Sequence, residues 1–174
     1  MENKITITNR WSGKTILEGY SKSIKTLLEQ NREADLSEAN LQGADLHKAS
    51  LQGANLCKAD LQGANLWEAN LSGADLHGVD LCEANLQGAN LYGASLWGAS
   101  LWETDLHKAN LCEANLQGAN LYGASLWETD LHGANLCSTN LCETDLHRAD
   151  LREIKIKTTE IKELLKSIQI ITID

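Results

Sequence analysis

The sequence predicts an all-β solenoid, in which the chain winds into stacked coils, and three regularities support this prediction. Leucine occupies every fifth position from Leu36 to Leu151, which makes 24 consecutive repeats without a gap. The residue two positions before each leucine is small, and it is alanine in 19 of the 24 repeats. The residue directly before each leucine is always Asp, Asn or Ser. Such an unbroken short period indicates one small unit that is stacked many times.

A regular helix or a straight strand does not accommodate this period. Helical residues advance by about 100° each, so leucines at every fifth position would scatter around the axis. In a strand, successive leucines would point to opposite faces because five is odd. The pattern fits a chain that turns once per repeat. The leucine, called position i, and the small residue at i−2 then face inward, while i+1 and i+2 form a corner.

Each position of the repeat has a structural role in such a coil. The leucines form an apolar column, and each buried leucine contributes roughly 1.5–3 kcal/mol before chain entropy is subtracted. Short polar side chains at i−1 bond backbone groups at a bend, and they also stack into ladders from coil to coil. A repeated structural position explains the i−1 carboxylates better than metal binding or acid–base catalysis does.

The stretch ADLSEANLQGADLHKASLQGANL, which begins at Ala34, resembles the pentapeptide-repeat family with its signature A(D/N)LXX. The resemblance covers residues 34–153. It implies a right-handed quadrilateral β-helix, in which four consecutive pentapeptides make one four-sided coil. The repeats would then form six coils, with a length of about 29 Å at roughly 4.8 Å per coil.

Residues 1–33 precede the repeats and predict an N-terminal cap made of a β-hairpin and a short helix. The segments KITITN and KTILE read as two strands on either side of a Ser-Gly turn signal. Ser21 or Ser23 is a candidate N-cap for a helix with an apolar stripe over residues 24–28. This segment would cover the lower end of the leucine column, where core and strand edges are otherwise exposed.

Residues 154–174 predict a C-terminal cap with a short helix and a final strand. Apolar residues recur at helical spacing over 160–168, and IITID reads as a short strand. Two hypotheses stay open for this segment: an intramolecular cap, or a homodimer interface as in some members of the resembled family. The candidate dimer contacts are Ile161, Leu164, Leu165 and Ile168.

The repeats are acidic, whereas the two ends are slightly basic. Residues 34–151 carry a net charge of −12, within a total of −9 for the chain of 174 residues. This balance argues against direct nucleic-acid binding, which requires a basic face. It also suggests DNA mimicry, by which some members of the resembled family bind DNA gyrase or topoisomerase IV. Those members often carry Phe at central positions, whereas this chain has no Phe. An acidic surface that only keeps the protein soluble is the alternative.

Six aromatic side chains occupy the outward position i+1, and exposed Trp and Tyr are typical anchors of protein interfaces. They form the candidate protein-interaction surface: Trp97, Trp102, Tyr122, Trp127, Tyr92 and Trp67. With four pentapeptides per coil, Trp102 and Tyr122 would be neighbours on successive coils. The alternative is that these rings only stack on one another and cover the corners. We therefore expect a non-catalytic scaffold or protein-interaction module with a protein partner, and a modulator of gyrase or topoisomerase IV is the alternative.

The cysteines and histidines do not indicate a reactive centre. All five cysteines occupy i+1, and four-sided coils would hold them too far apart for disulfides, which suits a reducing compartment. His77 and His132 each follow a cysteine by the length of one such coil, but two ligands are too few for a structural zinc site. No apolar segment indicates a signal peptide or a membrane span. We expect a cytoplasmic protein with no enzymatic activity, no catalytic, cofactor-binding or metal-binding residues and no membrane association.

Overall fold

The computed structural model describes residues 2–167, without the side chains of residues 163, 166 and 167. Regular elements flank the repeats on both sides. Strand β1 spans Asn3–Thr8, strand β2 spans Thr15–Ser21 and helix α1 spans Ile24–Gln30. After the repeats come a 3-10 turn at Thr158–Glu160 and helix α2 at Ile161–Ser167. No helix within residues 2–167 combines the length and the apolar character that crossing a membrane requires.

Between these elements the chain winds into stacked coils, which together form the rod. Parallel β-bridges join each i−1 residue to its counterpart four repeats later, from Asn40–Asp60 to Asn135–Lys155. Hydrogen bonds between coils accompany the bridges, and the Leu41 N–H donates to the Asp60 carbonyl at 2.8 Å. Since four repeats fill one coil, each repeat forms one side of a four-sided rod.

The interior of the rod is the leucine column that the period predicts. Every repeat leucine from Leu36 to Leu146 is at most 5% exposed, and the alanines at i−2 are buried beside most of them. The last repeat leucine, Leu151, is half-buried because it lies at the upper end. The inward orientation of positions i and i−2 is therefore confirmed.

All corners of the rod share one conformation. The residue at i+2 has a positive φ, between 52° and 69°, in all 24 repeats. The N–H of residue i+3 closes the turn onto the leucine carbonyl, as between Ala44 and Leu41 at 3.0 Å. The side chain at i−1 accepts the N–H of i+1, as Asn40 Oδ1 does from Gln42 at 3.2 Å. These local bonds confirm the predicted role of the short polar side chains.

Some i−1 side chains also bond from coil to coil. Asn65 Nδ2 donates to Asp45 Oδ1 at 3.1 Å, and Asn140 Nδ2 donates to Asn120 Oδ1 at 2.9 Å. The two residues of each pair lie at the same place on successive coils. The predicted ladders therefore exist, although they join particular pairs rather than every coil.

The N-terminal segment packs on the lower end of the rod. β1 and β2 pair in antiparallel fashion, and β1 continues onto the first coil, where the Asn40 N–H donates to the Thr8 carbonyl at 2.7 Å. Helix α1 begins after Ser23, whose hydroxyl accepts a backbone N–H of the first turn. The helix buries Leu27 and Leu28, which belong to the same apolar core as the repeat leucines.

Helix α2 lies at the upper end of the rod with one apolar side chain buried and two exposed. Leu164 is 7% exposed, whereas Ile161 and Leu165 are 39% and 44% exposed. Of the four candidate dimer contacts, Leu164 thus packs within the chain. Ile168 and the predicted final strand lie outside the described residues.

Candidate interaction surface

The six aromatic side chains at i+1 lie at the corners of the rod. Tyr92 and Trp97 are the most exposed of them, at 46% and 44%. The other four are half-buried: Trp67, Trp102, Tyr122 and Trp127. Because each repeat turns to the next side, Tyr92, Trp97 and Trp102 follow one another around a single coil. The aromatic residues therefore wrap around the rod instead of forming one flat patch.

Ring stacking in the described chain involves histidine. The ring centroids of His77 and Trp97 lie 4.3 Å apart at 61°, and those of His107 and Trp127 lie 4.2 Å apart at 49°. In both pairs the histidine precedes the tryptophan by one coil. These pairs were not predicted from the sequence, although the spacing of His and Trp by four repeats was the available signal.

Trp102 and Tyr122 occupy successive coils, as their spacing by four repeats predicts. The N–H of Glu103, which follows Trp102, donates to the Tyr122 carbonyl at 2.9 Å. Within the part of the chain that the structure describes, however, no ring contact joins these two side chains. Their proximity therefore comes from the coil spacing, without aromatic stacking.

Lysines cover two of the tryptophans. Lys48 Nζ lies 4.5 Å from the centre of the Trp67 ring, and Lys108 Nζ lies 5.7 Å from the centre of the Trp127 ring. A cation at this distance is attracted to the face of an aromatic ring. These contacts, which were not predicted from the sequence either, help to make Trp67 and Trp127 less available than Trp97.

Each of the two tyrosines of the rod lies beside a glutamate of the next coil. The charge of Glu113 and its hydrogen bond raise the pKa of Tyr92, and a hydrogen bond with Glu143 raises the pKa of Tyr122. These hydrogen bonds favour the neutral phenols, which donate their hydroxyl hydrogens to the glutamates.

Two further aromatic residues lie outside the predicted surface. Trp11 and Tyr20 of the N-terminal hairpin are 71% and 70% exposed, more than any aromatic residue of the rod. The Arg10 guanidinium lies 4.7 Å from the centre of the Trp11 ring. The position of Trp11 directly before the Ser-Gly turn was the sequence signal for its exposure.

The acidic charge is spread over all four sides of the rod, with an excess on one. Sorted by side, residues 34–151 carry net charges of −5, −3, −2 and −2. The most acidic side contains Asp60, Asp80, Glu83, Glu103 and Glu143 and has no Lys or Arg of its own. At its lower end, Arg10 of the hairpin lies 3.5 Å from Asp60 and 3.7 Å from Asp80. The unpaired acid of this side thus lies in its upper part.

The thiols and the acidic residues do not converge on a common centre. All five cysteines are free, and burial raises the pKa of Cys57, Cys82 and Cys112. A raised pKa disfavours the nucleophilic thiolate. Among the side chains that the structure describes, there is no group of three or more His, Cys, Asp or Glu residues that could hold a metal ion.

One pocket lies between α1 and the first coils, away from the aromatic corners. It has a volume of about 140 Å³ and is lined in part by Leu28, Asn31, Arg32 and Leu51. None of the residues that line it is aromatic. It therefore does not extend the candidate interaction surface.

Three solved structures of pentapeptide repeat proteins resemble this chain. HetL of the cyanobacterium Nostoc sp. strain PCC 7120, a protein involved in heterocyst differentiation regulation, is 33% identical, with 69% of this chain and 67% of HetL covered and a TM-score of 0.42. A protein of the Arabidopsis thaliana thylakoid lumen is 31% identical, with 56% of this chain and 72% of that protein covered and a TM-score of 0.41. QnrB1, a plasmid-mediated fluoroquinolone resistance protein, is 22% identical, with 73% and 82% covered and a TM-score of 0.29. The functions that these names give belong to those proteins.

The sequence comparisons address the family directly. No curated protein sequence matches the chain. A family model described as pentapeptide repeats matches it in eight copies, over residues 32–63, 49–88, 59–98, 89–127 and 119–156. These matches extend over well more than half of the chain and confirm the resemblance seen in the ADLXX and ANLXX motifs. The chain therefore belongs to the pentapeptide-repeat family, whose members fold as right-handed quadrilateral β-helices.

Proposed function

We propose that this protein is a non-catalytic scaffold that binds a protein partner through the aromatic corners of its coils. The exposure of Tyr92 and Trp97, at 46% and 44%, carries this proposal. Both side chains stand on a backbone that hydrogen bonds hold within and between coils. Rigid aromatic side chains lose little conformational entropy on binding and bury a large area, which makes them frequent interface anchors.

The structural roles of the polar side chains support a non-catalytic function. At i−1, carboxylates and amides accept the N–H of i+1, as Asp75 does from His77 at 3.0 Å and Asp130 does from His132 at 2.9 Å. These hydrogen bonds give a structural role to the carboxylates that would otherwise be candidates for acid–base catalysis. The scaffold that we propose is a rod of six coils, about 29 Å long at roughly 4.8 Å per coil. We place it in the cytoplasm because five free thiols suit a reducing compartment.

Substitution of Trp97 and Trp102 by alanine tests the proposal. We expect the double variant to lose a partner protein that the unaltered protein retains in affinity capture, because truncation of central aromatic anchors costs about 2 kcal/mol or more each. Trp67→Ala is the matched control, since Lys48 already covers this ring. Circular dichroism should show an unchanged fold in all variants. A partner that the double variant retains as well as the unaltered protein does would contradict the proposal.

The alternative is a DNA mimic that modulates gyrase or topoisomerase IV, and the charge of the rod supports it. A DNA duplex carries about 17 negative charges over about 29 Å, and residues 34–151 carry a net charge of −12 over the proposed length. A supercoiling assay with purified gyrase tests this alternative. Inhibition, or protection against a quinolone, is the expected result. No effect at tens of micromolar protein would exclude the mimic and leave the scaffold proposal intact.

A further inference from the structure

Coil stacking places the i+2 side chain of one coil beside the aromatic ring of the next. Lys48 precedes Trp67 by 19 residues, and Lys108 precedes Trp127 by 19 residues, which is one residue less than a coil of 20. The backbone N–H of Lys48 donates to the Trp67 carbonyl at 2.7 Å, and that of Lys108 donates to the Trp127 carbonyl at 3.0 Å. The lysine ammonium groups then lie 4.5 and 5.7 Å from the two ring centres. The register of the rod thus creates a position for a cation over each ring.

Trp97 has the same position, but a glycine replaces the lysine. Trp67, Trp97 and Trp127 recur at equal intervals of six repeats, and the residue at the equivalent corner before Trp97 is Gly78. The Gly78 N–H donates to the Trp97 carbonyl at 2.9 Å, which is the bond that the lysines make in the other two pairs. In the described chain no Lys or Arg lies over the Trp97 ring. The stacking of the coils therefore creates a position for a cation at Trp97 as well. Because the corner residue is a glycine, no lysine of that corner fills this position.

A histidine contacts the tryptophan ring at Trp97, which has no lysine over it, and also at Trp127, which has one. His77 packs against Trp97 at 4.3 Å, and His107 packs against Trp127 at 4.2 Å. At Trp127 the histidine and Lys108 both contact the ring. Trp97 therefore lacks this lysine, and its 44% exposure is consistent with that. It also lacks the glutamate that pairs with each covering lysine, Glu68 at 3.5 Å and Glu128 at 3.7 Å, because Gly98 stands at that position.

Trp97 borders the most acidic side of the rod. The next corner of the same coil carries Trp102, and here Glu83 takes the place of the lysine, with its N–H donating to the Trp102 carbonyl at 2.9 Å. Glu83 and Glu103 belong to the most acidic side of the rod, which has no basic residue of its own. A cation at Trp97 therefore meets an aromatic face beside the most acidic side of the rod, although Lys58 lies one coil below the Gly78 corner.

We propose that Trp97 is the docking position for a lysine or arginine side chain from a basic segment of the partner. This side chain lies over the ring where Lys48 lies over Trp67. The inference rests on the proposed scaffold function and names the chemistry of the partner. An acidic rod that presents an open cation position selects a basic segment through charge complementarity and through the ring face.

A lysine placed at position 78 should occupy this position from within the chain. Gly78 has a φ of 59°, and Lys48 and Lys108 adopt 55° and 58° at the equivalent corners. A Cβ at Gly78 would meet its nearest neighbour, Cγ of Lys58, at 3.5 Å, which is an ordinary contact. Gly78→Lys therefore fits the corner and should cover Trp97.

Gly53→Lys is the matched control for the added charge. Gly53 has a φ of 67°, and a Cβ there would meet nothing within 4 Å. The Gly53 N–H donates to the carbonyl of Ser72, so the outward residue beside this corner on the next coil is a serine and carries no ring. The two variants thus have the same net charge and the same corner conformation, and they differ in whether the cation position at Trp97 is filled.

The experiment measures binding of a fluorescent hexa-arginine peptide by anisotropy, with a hexa-citrulline peptide as the neutral comparison. We expect saturable binding of the arginine peptide only. Trp97→Ala and Gly78→Lys should each weaken it by about two- to fivefold, the range for an exposed cation–π contact. Gly53→Lys should weaken it clearly less than Gly78→Lys does, and Trp67→Ala should leave it unchanged.

Three results of these binding measurements would overturn the inference, and a fourth comes from displacement of a captured partner. The first three are no saturable binding by the unaltered protein, equal weakening by Gly78→Lys and Gly53→Lys, or unchanged binding by Trp97→Ala. The last two results would mean that the acidic rod attracts the peptide only through its overall charge. If a captured partner is lost on aromatic substitution but the arginine peptide does not displace it, the scaffold proposal stands and the inference about basic chemistry fails.

Discussion

At the scale of the residue, the corner position i+2 combines a fixed backbone conformation with a variable side chain. Glycine accounts for 11 of the 24 corners, and the other 13 hold residues with a Cβ in the left-handed region. Each such residue costs roughly 1–3 kcal/mol of backbone strain. Exposed ion pairs between corners, such as Lys48–Glu68 at 3.5 Å, contribute only about 0–1 kcal/mol. The strain must therefore be offset mainly by the buried leucines.

Gly63→Ala tests the conformational cost of a corner. Gly63 has a φ of 63°, and an added Cβ would meet nothing within 4 Å, so the substitution changes the backbone energy without a steric clash. We expect the free energy of unfolding to fall by about 1 kcal/mol. Urea denaturation followed by circular dichroism measures it. The reverse change at an equivalent corner, Glu83→Gly at a φ of 58°, is the control and should not destabilise the protein. A Gly63→Ala variant more stable than the unaltered protein would contradict a left-handed corner.

Threonine at i−2 shows a role that side-chain size alone does not explain. The buried hydroxyl of Thr104 donates to the Leu81 carbonyl at 2.8 Å, and that of Thr129 donates to the Leu106 carbonyl at 2.8 Å. In each pair the donor and the acceptor lie on neighbouring coils. A buried hydroxyl is tolerated in the apolar interior because this bond satisfies it.

At the scale of the element, a single arginine ties the N-terminal hairpin to the rod. Arg10 Nη1 donates to the carbonyls of Lys58 and Ala59, both at 3.2 Å. Its other terminal nitrogen lies 3.5 Å from Asp60 and 3.7 Å from Asp80, and the side chain is only 16% exposed. The planar guanidinium reaches several acceptors at once, which a lysine does not. The hairpin is therefore joined to coils beyond the one that it directly pairs with.

The C-terminal element is held by a carboxylate that replaces a backbone carbonyl. The Ser138 N–H donates to the two Glu160 carboxylate oxygens at 3.0 and 3.1 Å. One coil below, the equivalent N–H of Gly118 donates to the Cys137 carbonyl at 3.0 Å. The Ser138 N–H lowers the pKa of Glu160, because its hydrogen bond favours the charged carboxylate. The Glu160 side chain thus accepts an N–H of the hydrogen-bond ladder between coils at the end of the rod where the repeats stop.

This contact predicts that acid loosens α2 before it affects the rod. Since the pKa of Glu160 is lowered in the folded state, its contribution is present above the ordinary value of 4.5 and is lost as pH falls through the lowered pKa. Amide hydrogen exchange measured from about pH 6 to about pH 3, and corrected for intrinsic rates, should show faster relative exchange in Ile161–Ser167 at low pH. Glu160→Gln should show the looser helix already at neutral pH. Equal protection of α2 across this range would contradict the role of Glu160.

At the scale of the whole molecule, the two ends of the rod differ in how they are covered. The lower end is closed by the hairpin and α1, which bury Ile7, Leu27 and Leu28 in the common core. At the upper end α2 buries Leu164 and leaves Ile161 and Leu165 exposed. Because a solenoid must cover its terminal coils, the two hypotheses for this end, an intramolecular cap and a homodimer contact, both concern these exposed side chains.

Ile161→Asp combined with Leu165→Asp distinguishes a homodimer from an intramolecular cap at this end. If a second copy docks here, the unaltered protein should sediment as a dimer and the double variant as a monomer, because charges on both exposed apolar side chains oppose their burial in an interface. Leu164→Ala is the control, since this side chain packs within the chain and its loss should destabilise α2 without acting on the interface directly. A monomer at high micromolar concentration of the unaltered protein would favour the intramolecular cap.

The amino-acid sequence by itself determined the architecture of the rod. A five-residue period with Leu, a small residue and a short polar residue specifies which side chains face inward and which close the turn, because these choices depend on neighbours within one repeat. The family, the inward positions and the hydrogen bonds of the i−1 side chains were therefore predictable. The coil of four repeats was predictable only through resemblance to the family, since the period alone allows other coil sizes.

Only the tertiary structure decided which aromatic residues are available and how the ends are held. Trp97 differs from Trp67 and Trp127 through the corner residue of the preceding coil, a relation that exists only once coils stack. Arg10 and Glu160 act on coils that are distant from them in sequence, from segments that do not follow the period. Exposure and end contacts depend on neighbours brought together by folding, and a strictly local repeat carries no information about them.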